Sequence, residues 1–185
     1  MSVTEEEWAA VKLFVCDVDG VLTDGSVIYG AKGELAKTFF IRDGMGLRLL
    51  EAAGVRVGII TSEDSPVVSA RVKKLMRSGY RPGMKRKGKA LLELMQEFDT
   101  EKHETVYIGD DVNDAEAFEA SGIPCAPGDA NDFAVQSARY VTVKCGGRGA
   151  VREIADMIIA AKKLNPAELW KSIHKRAEAH DAGSV

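Results

Sequence analysis

Cysteine is scarce in this chain: Cys16, Cys125 and Cys145 are the only three, far apart and without CxxC spacing. An odd, scattered set supplies neither a disulfide framework nor a zinc site. A basic surplus is also missing. Twenty-five Lys and Arg stand against 28 Asp and Glu, a formal charge of −3, so nothing drives binding to a phosphate backbone and nucleic acid is not an expected partner. No apolar run approaches the ~20 residues of a membrane span, and the opening MSVTEEEWAA lacks the basic start and apolar core of a signal peptide. No repeat, low-complexity tract or long linker interrupts the chain, and His103, His174 and His180 fall outside every motif, with the surface as their expected place. A cytoplasmic protein with one domain in 185 residues is the expectation. What the chain has in quantity is glycine, 18 residues, clustered where a chain leaves strands; Gly20, Gly25, Gly44, Gly46 and Gly109 are read as turn residues beside the acids described below.

Short β-branched and aromatic runs, 12–16, 55–60 and 105–108, read as buried strands, with 123–126 and 140–143 as shorter ones. A short acidic helix is expected at 4–10. Segments 27–29 and 37–40 flank Gly30-Ala31-Lys32-Gly33 as a hairpin with a four-residue turn. Helical spacing covers 43–53, a stretch from Pro66 with Val68, Val72, Leu75 and Met76 as its apolar stripe, then 88–98, 112–120, 150–163 and 167–180. Strands alternating with helices imply a Rossmann-like α/β fold: a mostly parallel sheet with helices on both faces and a β-hairpin insert. The expected division is 1–163 for this domain and 164–185 for a C-terminal helical extension, in which Leu169, Trp170, Ile173 and Ala177 have packing spacing.

In such sheets ligands bind at the C-terminal strand ends. There the first strand delivers Asp17 and Asp19, the second Thr61 and Ser62, and the 105–108 strand Asp110, Asp111 and, a turn on, Asp114; Lys87 heads the preceding helix. One strand-end Asp is ordinarily a cap or turn former, but four acids together resist joint ionisation. A hard divalent cation resolves that, and oxygen donors with no His or Cys nearby favour Mg²⁺. Thr61, backbone N–H groups and Lys87 would then hold phosphate oxygens.

Asp17-Val-Asp-Gly-Val-Leu-Thr-Asp-Gly25, Thr61, Lys87 in Lys-Gly-x-Ala-Leu, and Gly109-Asp-Asp-x-x-Asp114 resemble the four motifs of the haloacid dehalogenase superfamily, from Phe14 to about Ile154. The resemblance implies Asp17 as the nucleophile that becomes an aspartyl phosphate. It implies Asp19 as the acid that protonates the leaving sugar oxygen and then activates water. Thr61 and Lys87 bind the phosphoryl group; Asp17, the Asp19 carbonyl and Asp110 hold Mg²⁺, with Asp114 or Asp111 acting through water. Asp17 and Thr61 stand 44 positions apart and Thr61 and Lys87 26, too few for the family's cap domain in either gap, so a neighbouring subunit is expected to close the site.

The stretches DGVLTDGSVIYG, RDGMGLRLLEAAG and GGRGAVRE resemble the capless sugar-acid phosphatases. These act on 3-deoxy-octulosonate 8-phosphate or on 2-keto-3-deoxy-nonulosonate 9-phosphates, and the resemblance implies a homotetramer. Octulosonate enzymes resemble Thr-Gly-Arg at the second motif, nonulosonate enzymes Thr-Gly-Glu followed by an Arg and a Lys. Here Thr61-Ser62-Glu63 precedes Arg71 and Lys74, three apart on one helix face away from the apolar stripe. The nonulosonate substrate is therefore the first expectation, with Ser62, Glu63 and Lys74 at the sugar acid and Arg71 reaching the adjacent subunit's site. Octulosonate 8-phosphate is the alternative. A noncatalytic assembly module, as this fold becomes when fused to some cytidylyltransferases, is less expected because the motif residues are intact; a phospho-accepting receiver has its acids and Lys in another order.

Overall fold

The computed structural model describes residues 2–75 and 79–182, with side chains of the last helix described to residue 175. Thr4 opens α1 (Glu5–Ala10) with a capping box: its hydroxyl accepts from Glu7 N while the Glu7 carboxylate accepts from Thr4 N. Strand β1 (Leu13–Cys16) is fully buried, Phe14 and Cys16 facing one apolar layer and Leu13 and Val15 the other, as expected of a strand covered on both faces. The excursion that follows contains the hairpin β2 (Ile28–Gly30) and β3 (Gly33–Ala36). Its second strand precedes the expected 37–40 segment and its turn has two residues, because Gly30 pairs with Gly33 and both glycines belong to strands.

Next come α2 (Ile41–Ala52), β4 (Arg56–Ile60), α3 (Pro66–Leu75), β5 (Tyr80–Arg81), α4 (Lys87–Glu97) and β6 (Thr105–Ile108). The remainder is α5 (Ala115–Ala120), β7 (Ile123–Ala126), α6 (Asp132–Ser137), β8 (Tyr140–Val141), α7 (Ala150–Ala161) and α8 (Pro166–Ala182). Strands β6 and β7 match the expected limits. The expected 112–120 helix begins instead as a 3₁₀ turn, Val112–Asp114, capped by the Asp111 carboxylate, and the last strand stops at Val141. Gly44 and Gly46 are not turn residues. They lie inside α2, where the missing side chains admit Leu75 and Arg71 on one side and Ala155 and Arg152 on the other. Met76 falls outside the described residues, as do the side chains of Ala177 and His180.

Among the described residues the main sheet is parallel, in the order β5-β4-β1-β6-β7-β8. Chain order reverses between β1 and β6, which opens a crevice beyond their carboxyl ends. Helices α1, α2, α3, α7 and α8 supply one apolar layer, with Leu169 and Ile173 of α8 packed against it; α4, α5 and α6 supply the other. Among the described residues no helix is long and apolar enough to cross a membrane.

Candidate active site

The loop leaving β1 and the loop leaving β6 meet at that crevice. Asp17 N donates to the Ile108 carbonyl at 3.0 Å, locking the two strand ends together, and Asp17 is 4% exposed. One of its carboxylate oxygens accepts from Val18 N at 2.7 Å and the other from Lys87 Nζ at 2.6 Å. Lys87 is the first residue of α4, where the helix dipole disfavours a cation, and its side chain is fully buried. Its second carboxylate, Asp114 at 2.7 Å, explains how it is kept there. Burial pulls the ammonium toward neutrality, but Asp17 and Asp114 hold its pKa above the ordinary lysine value.

Asp114 organises the site. One oxygen accepts from Lys87 and from the buried Tyr107 hydroxyl at 2.6 Å; the other accepts from Asp110 N at 3.0 Å and Asp111 N at 3.2 Å. Four donors leave it little capacity for anything else. Burial, followed by the Asp114 charge, keeps the Tyr107 hydroxyl protonated as a donor. Asp110 is thereby aimed across the crevice at the β1 loop, where Gly20 sits at φ +78°; a Cβ there would lie 1.9 Å from an Asp110 oxygen. Asp111 turns aside, accepting from Val112 N and from the Asn131 amide.

Oxygens of Asp17, Asp110 and Asp114 lie within 4.8 Å of one another, facing the single Lys87 ammonium. Burial pushes the Asp17 carboxyl up to about 7 against the pull of Lys87; burial and the Asp114 charge push Asp110 up to about 7 as well. The local charge is too negative for Asp17 and Asp110 to ionise freely, and the donor set is all hard oxygen, so the cluster fits a divalent cation such as Mg²⁺. With Asp114 saturated, Asp17 and Asp110 are the side chains able to hold it. The Asp19 carboxylate lies outside this cluster and is taken by Lys37 Nζ.

Thr61 follows β4, the other neighbour of β1, and is buried. Its N–H donates to the Arg81 carbonyl, its carbonyl accepts from Met84 N, and its hydroxyl accepts from Glu63 N at 3.3 Å. Ser62 Oγ donates to the Met84 carbonyl at 3.5 Å. The expected specificity set is not gathered in the same way. Glu63 is exposed and reaches Lys85 at 3.4 Å, Lys74 stands in solvent, and Arg71 does not share its face. Arg71 is part-buried beside Leu75 at Gly44, its guanidinium 5.8 Å from the centre of the Phe39 ring. Stacking on an aromatic face accounts for that turn.

Four residues absent from the expected site take part in it or support it. Lys37 and Glu34 had no signal, since their partners Asp19 and Ser65 lie 18 and 31 residues away, and Tyr107 read only as an apolar position of its strand. Asp43, whose signal was its Arg-Asp-Gly setting, is buried in α2 and accepts from Gly149 N and Arg152 N, thereby capping α7. Burial pushes it up to about 6 against those amides. A cavity of about 490 Å³ lined by Glu6, Glu101, His103 and Arg139 lies at the opposite end of the strands and contains none of the motif residues.

A haloacid dehalogenase-like hydrolase family model matches residues 81–154. The 3-deoxy-D-manno-octulosonate 8-phosphate phosphatase of Haemophilus influenzae is 38% identical over 152 residues, covering 82% of this chain and 84% of that protein. The cobalt-bound structure of the Haemophilus influenzae deoxy-D-mannose-octulosonate 8-phosphate phosphatase superposes with TM-score 0.83 at 37% identity, covering 85% of this chain and 92% of the other. The 3-deoxy-D-manno-octulosonate 8-phosphate phosphatase of Moraxella catarrhalis, solved with magnesium, phosphate and the KDO molecule, gives TM-score 0.82 at 35% identity, covering 86% and 91%. The chain belongs to the haloacid dehalogenase-like hydrolases, in their capless sugar-acid phosphatase branch, and is a phosphoric monoester hydrolase.

Proposed function

We propose that this chain is a Mg²⁺-dependent phosphatase that removes the phosphate of 3-deoxy-D-manno-octulosonate 8-phosphate through an aspartyl-phosphate intermediate. The observation that carries the chemistry is the buried Lys87 bridge between Asp17 and Asp114, which leaves Asp110 facing Asp17 across the strand ends. The sugar follows the relatives, which are phosphatases of the eight-carbon acid. This moves the substrate from the nonulosonate first expected to the octulosonate alternative. Within one chain Glu63 pairs with Lys85 and Lys74 stands exposed, so neither is committed to a nine-carbon sugar.

Asp17 is held as the nucleophile, with Val18 N fixing one oxygen and Lys87 the other. Thr61 and Lys87 bind phosphoryl oxygens and offset their charge. Asp19 protonates the ester oxygen as it departs and then takes a proton from the water that hydrolyses the acyl phosphate. Mg²⁺, held by Asp17, Asp110 and the Asp19 carbonyl, would neutralise the repulsion between carboxylate and phosphate. Closure by neighbouring copies in a tetramer belongs to this reading. It is supported by the hairpin and the first residue of α2, where Ile28, Tyr29, Leu35 and Ile41 stand exposed with none of the described residues covering them. A cytoplasmic setting is supported by three unpaired cysteines, two of them buried.

The nine-carbon substrate remains the second reading, favoured by Glu63 in Thr61-Ser62-Glu63. Comparing kcat/KM for octulosonate 8-phosphate and nonulosonate 9-phosphate decides between them. A tenfold preference for the eight-carbon acid is expected, and the reverse overturns the choice of sugar. Asp17→Asn is expected to abolish turnover of both while staying folded; retained turnover would remove the covalent mechanism. No turnover by the wild type with Mg²⁺ would leave the noncatalytic module.

A further inference from the structure

Asp19 is tied down. Lys37 Nζ donates to both oxygens of its carboxylate, at 2.6 and 2.8 Å, and the Thr23 hydroxyl lies 3.5 Å away. The Lys37 side chain is 2% exposed while Asp19 is 30% exposed. The ammonium also faces Glu34 at 3.6 Å. Glu34 accepts from the Ser65 hydroxyl, and Ser65 Oγ in turn accepts from Val68 N in the first turn of α3. A continuous polar chain therefore runs from the loop after β1, through the hairpin, to the loop that follows Thr61. Enclosing an ammonium so fully costs several kcal/mol unless it is well paired. A lysine needed only to fasten the hairpin could have paired with Glu34 alone. Instead it grips the carboxylate two residues beyond the nucleophile, by both oxygens.

We infer that Lys37 is a positioning residue for Asp19: with Glu34 and Ser65 behind it, it fixes the orientation in which Asp19 gives up and takes back its proton. This rests on the reading of Asp19 as the acid and base of the reaction. In the first half, an Asp17 oxygen bonds to phosphorus, the ester P–O bond breaks, and the ester oxygen receives the Asp19 proton. In the second half, a water oxygen bonds to phosphorus as Asp19 takes the water proton. The bond to Asp17 breaks, and inorganic phosphate leaves. Each half moves one proton at one Asp19 oxygen, which gives up its bond to Lys37 while protonated; Lys37 holds the other oxygen and keeps all of its own protons. A free Asp19 would sample other rotamers, and misplacement of a catalytic group by about 1 Å costs on the order of 100-fold.

The test uses the full chain with Mg²⁺ and reads kcat/KM on p-nitrophenyl phosphate and on whichever of the two sugar-acid phosphates is turned over faster. Nitrophenolate departs without a proton; a sugar alkoxide does not. Lys37→Met is expected to lower kcat/KM for the sugar phosphate by roughly 100-fold and for p-nitrophenyl phosphate by less than about fivefold, with Lys37→Arg recovering most of the difference. Equal losses on both substrates, or none, would make Lys37 merely structural and overturn the inference. If Lys37→Met does not fold, the same split read on Glu34→Gln decides. Asp19→Asn separates the two failures. Were it to lack the split, the acid–base reading itself would fall; were it to show the split while the Lys37 and Glu34 variants do not, only the tether would.

Discussion

The two flanks of β1 are built on opposite plans. On the β6 and α4 side the groups are buried and answered, Asp110 alone facing the crevice: Asp114 takes four donors, Lys87 two carboxylates, Asp17 an amide and an ammonium. On the β4 and α3 side Thr61 is buried, but Glu63 and Lys74 stand exposed and Arg71 rests on Phe39. Burial explains the contrast. Groups that manipulate a phosphoryl charge need a preorganised, poorly solvated cluster, whereas the residues proposed to select a sugar stand where only a ligand or another copy of the chain would enclose them. On the proposed function, bond-breaking is specified within the fold and selectivity at its margin.

Three experiments put pressure on that contrast. The largest effect is expected on the saturated side. Lys87→Met leaves buried carboxylates without their cation, which should cost about 3–5 kcal/mol. In a protein of this size that lowers the melting temperature by roughly 6–20 °C, alongside a loss of turnover. A shift under about 2 °C in thermal unfolding would mean the cluster is not organised by charge.

An intermediate effect is expected from the metal. Asp17 and Asp110 are both raised to about 7, so the metal-free protein binds more protons folded than unfolded between about pH 4 and 7. Its stability therefore falls as pH rises through that window, and the penalty is complete above it. Mg²⁺ removes that penalty when the carboxylates are ionised, so it should raise the melting temperature more at pH 8 than at pH 5. A gain that is the same or larger at pH 5 would contradict the carboxylate site.

The smallest effect is expected at the margin. Lys74→Ala and Glu63→Ala should change stability by no more than about 0.5 kcal/mol. Any change in activity should appear as a shift in preference between eight- and nine-carbon acids rather than in p-nitrophenyl phosphate turnover. A large drop with the aryl phosphate would place these residues in the chemistry and erase the distinction between the flanks.

Much of the saturated side was legible beforehand. Buried parallel strands are short continuous apolar runs, so 105–108 and 123–126 were readable to the residue, and the acids that end them follow at fixed spacing. The two-residue strand β5 and the one-and-a-half-turn helix α6 are too short to show a period. Lys37 escaped for a different reason. Within Lys37-Thr-Phe-Phe40 it reads as one polar position of a strand, while its partner Asp19 lies 18 residues earlier and meets it only because the hairpin folds back. The Arg71 contact escaped as well, because helical spacing says where a side chain starts, not that its guanidinium will settle over Phe39.

The glycine pair at the start of the GGRG segment carries a consequence for how the enzyme comes into being. Gly146 and Gly147 press on the nucleophile loop so closely that a Cβ on the first would lie 1.8 Å from the Gly20 carbonyl oxygen, and Gly147 N donates to the Val21 carbonyl at 2.8 Å. The earliest strand of the sheet is therefore finished by one of its last loops. Nearly four-fifths of the polypeptide would have to leave the ribosome before Asp17, the proposed nucleophile, has its floor, so on the proposed mechanism a half-made chain would not yet be a working phosphatase.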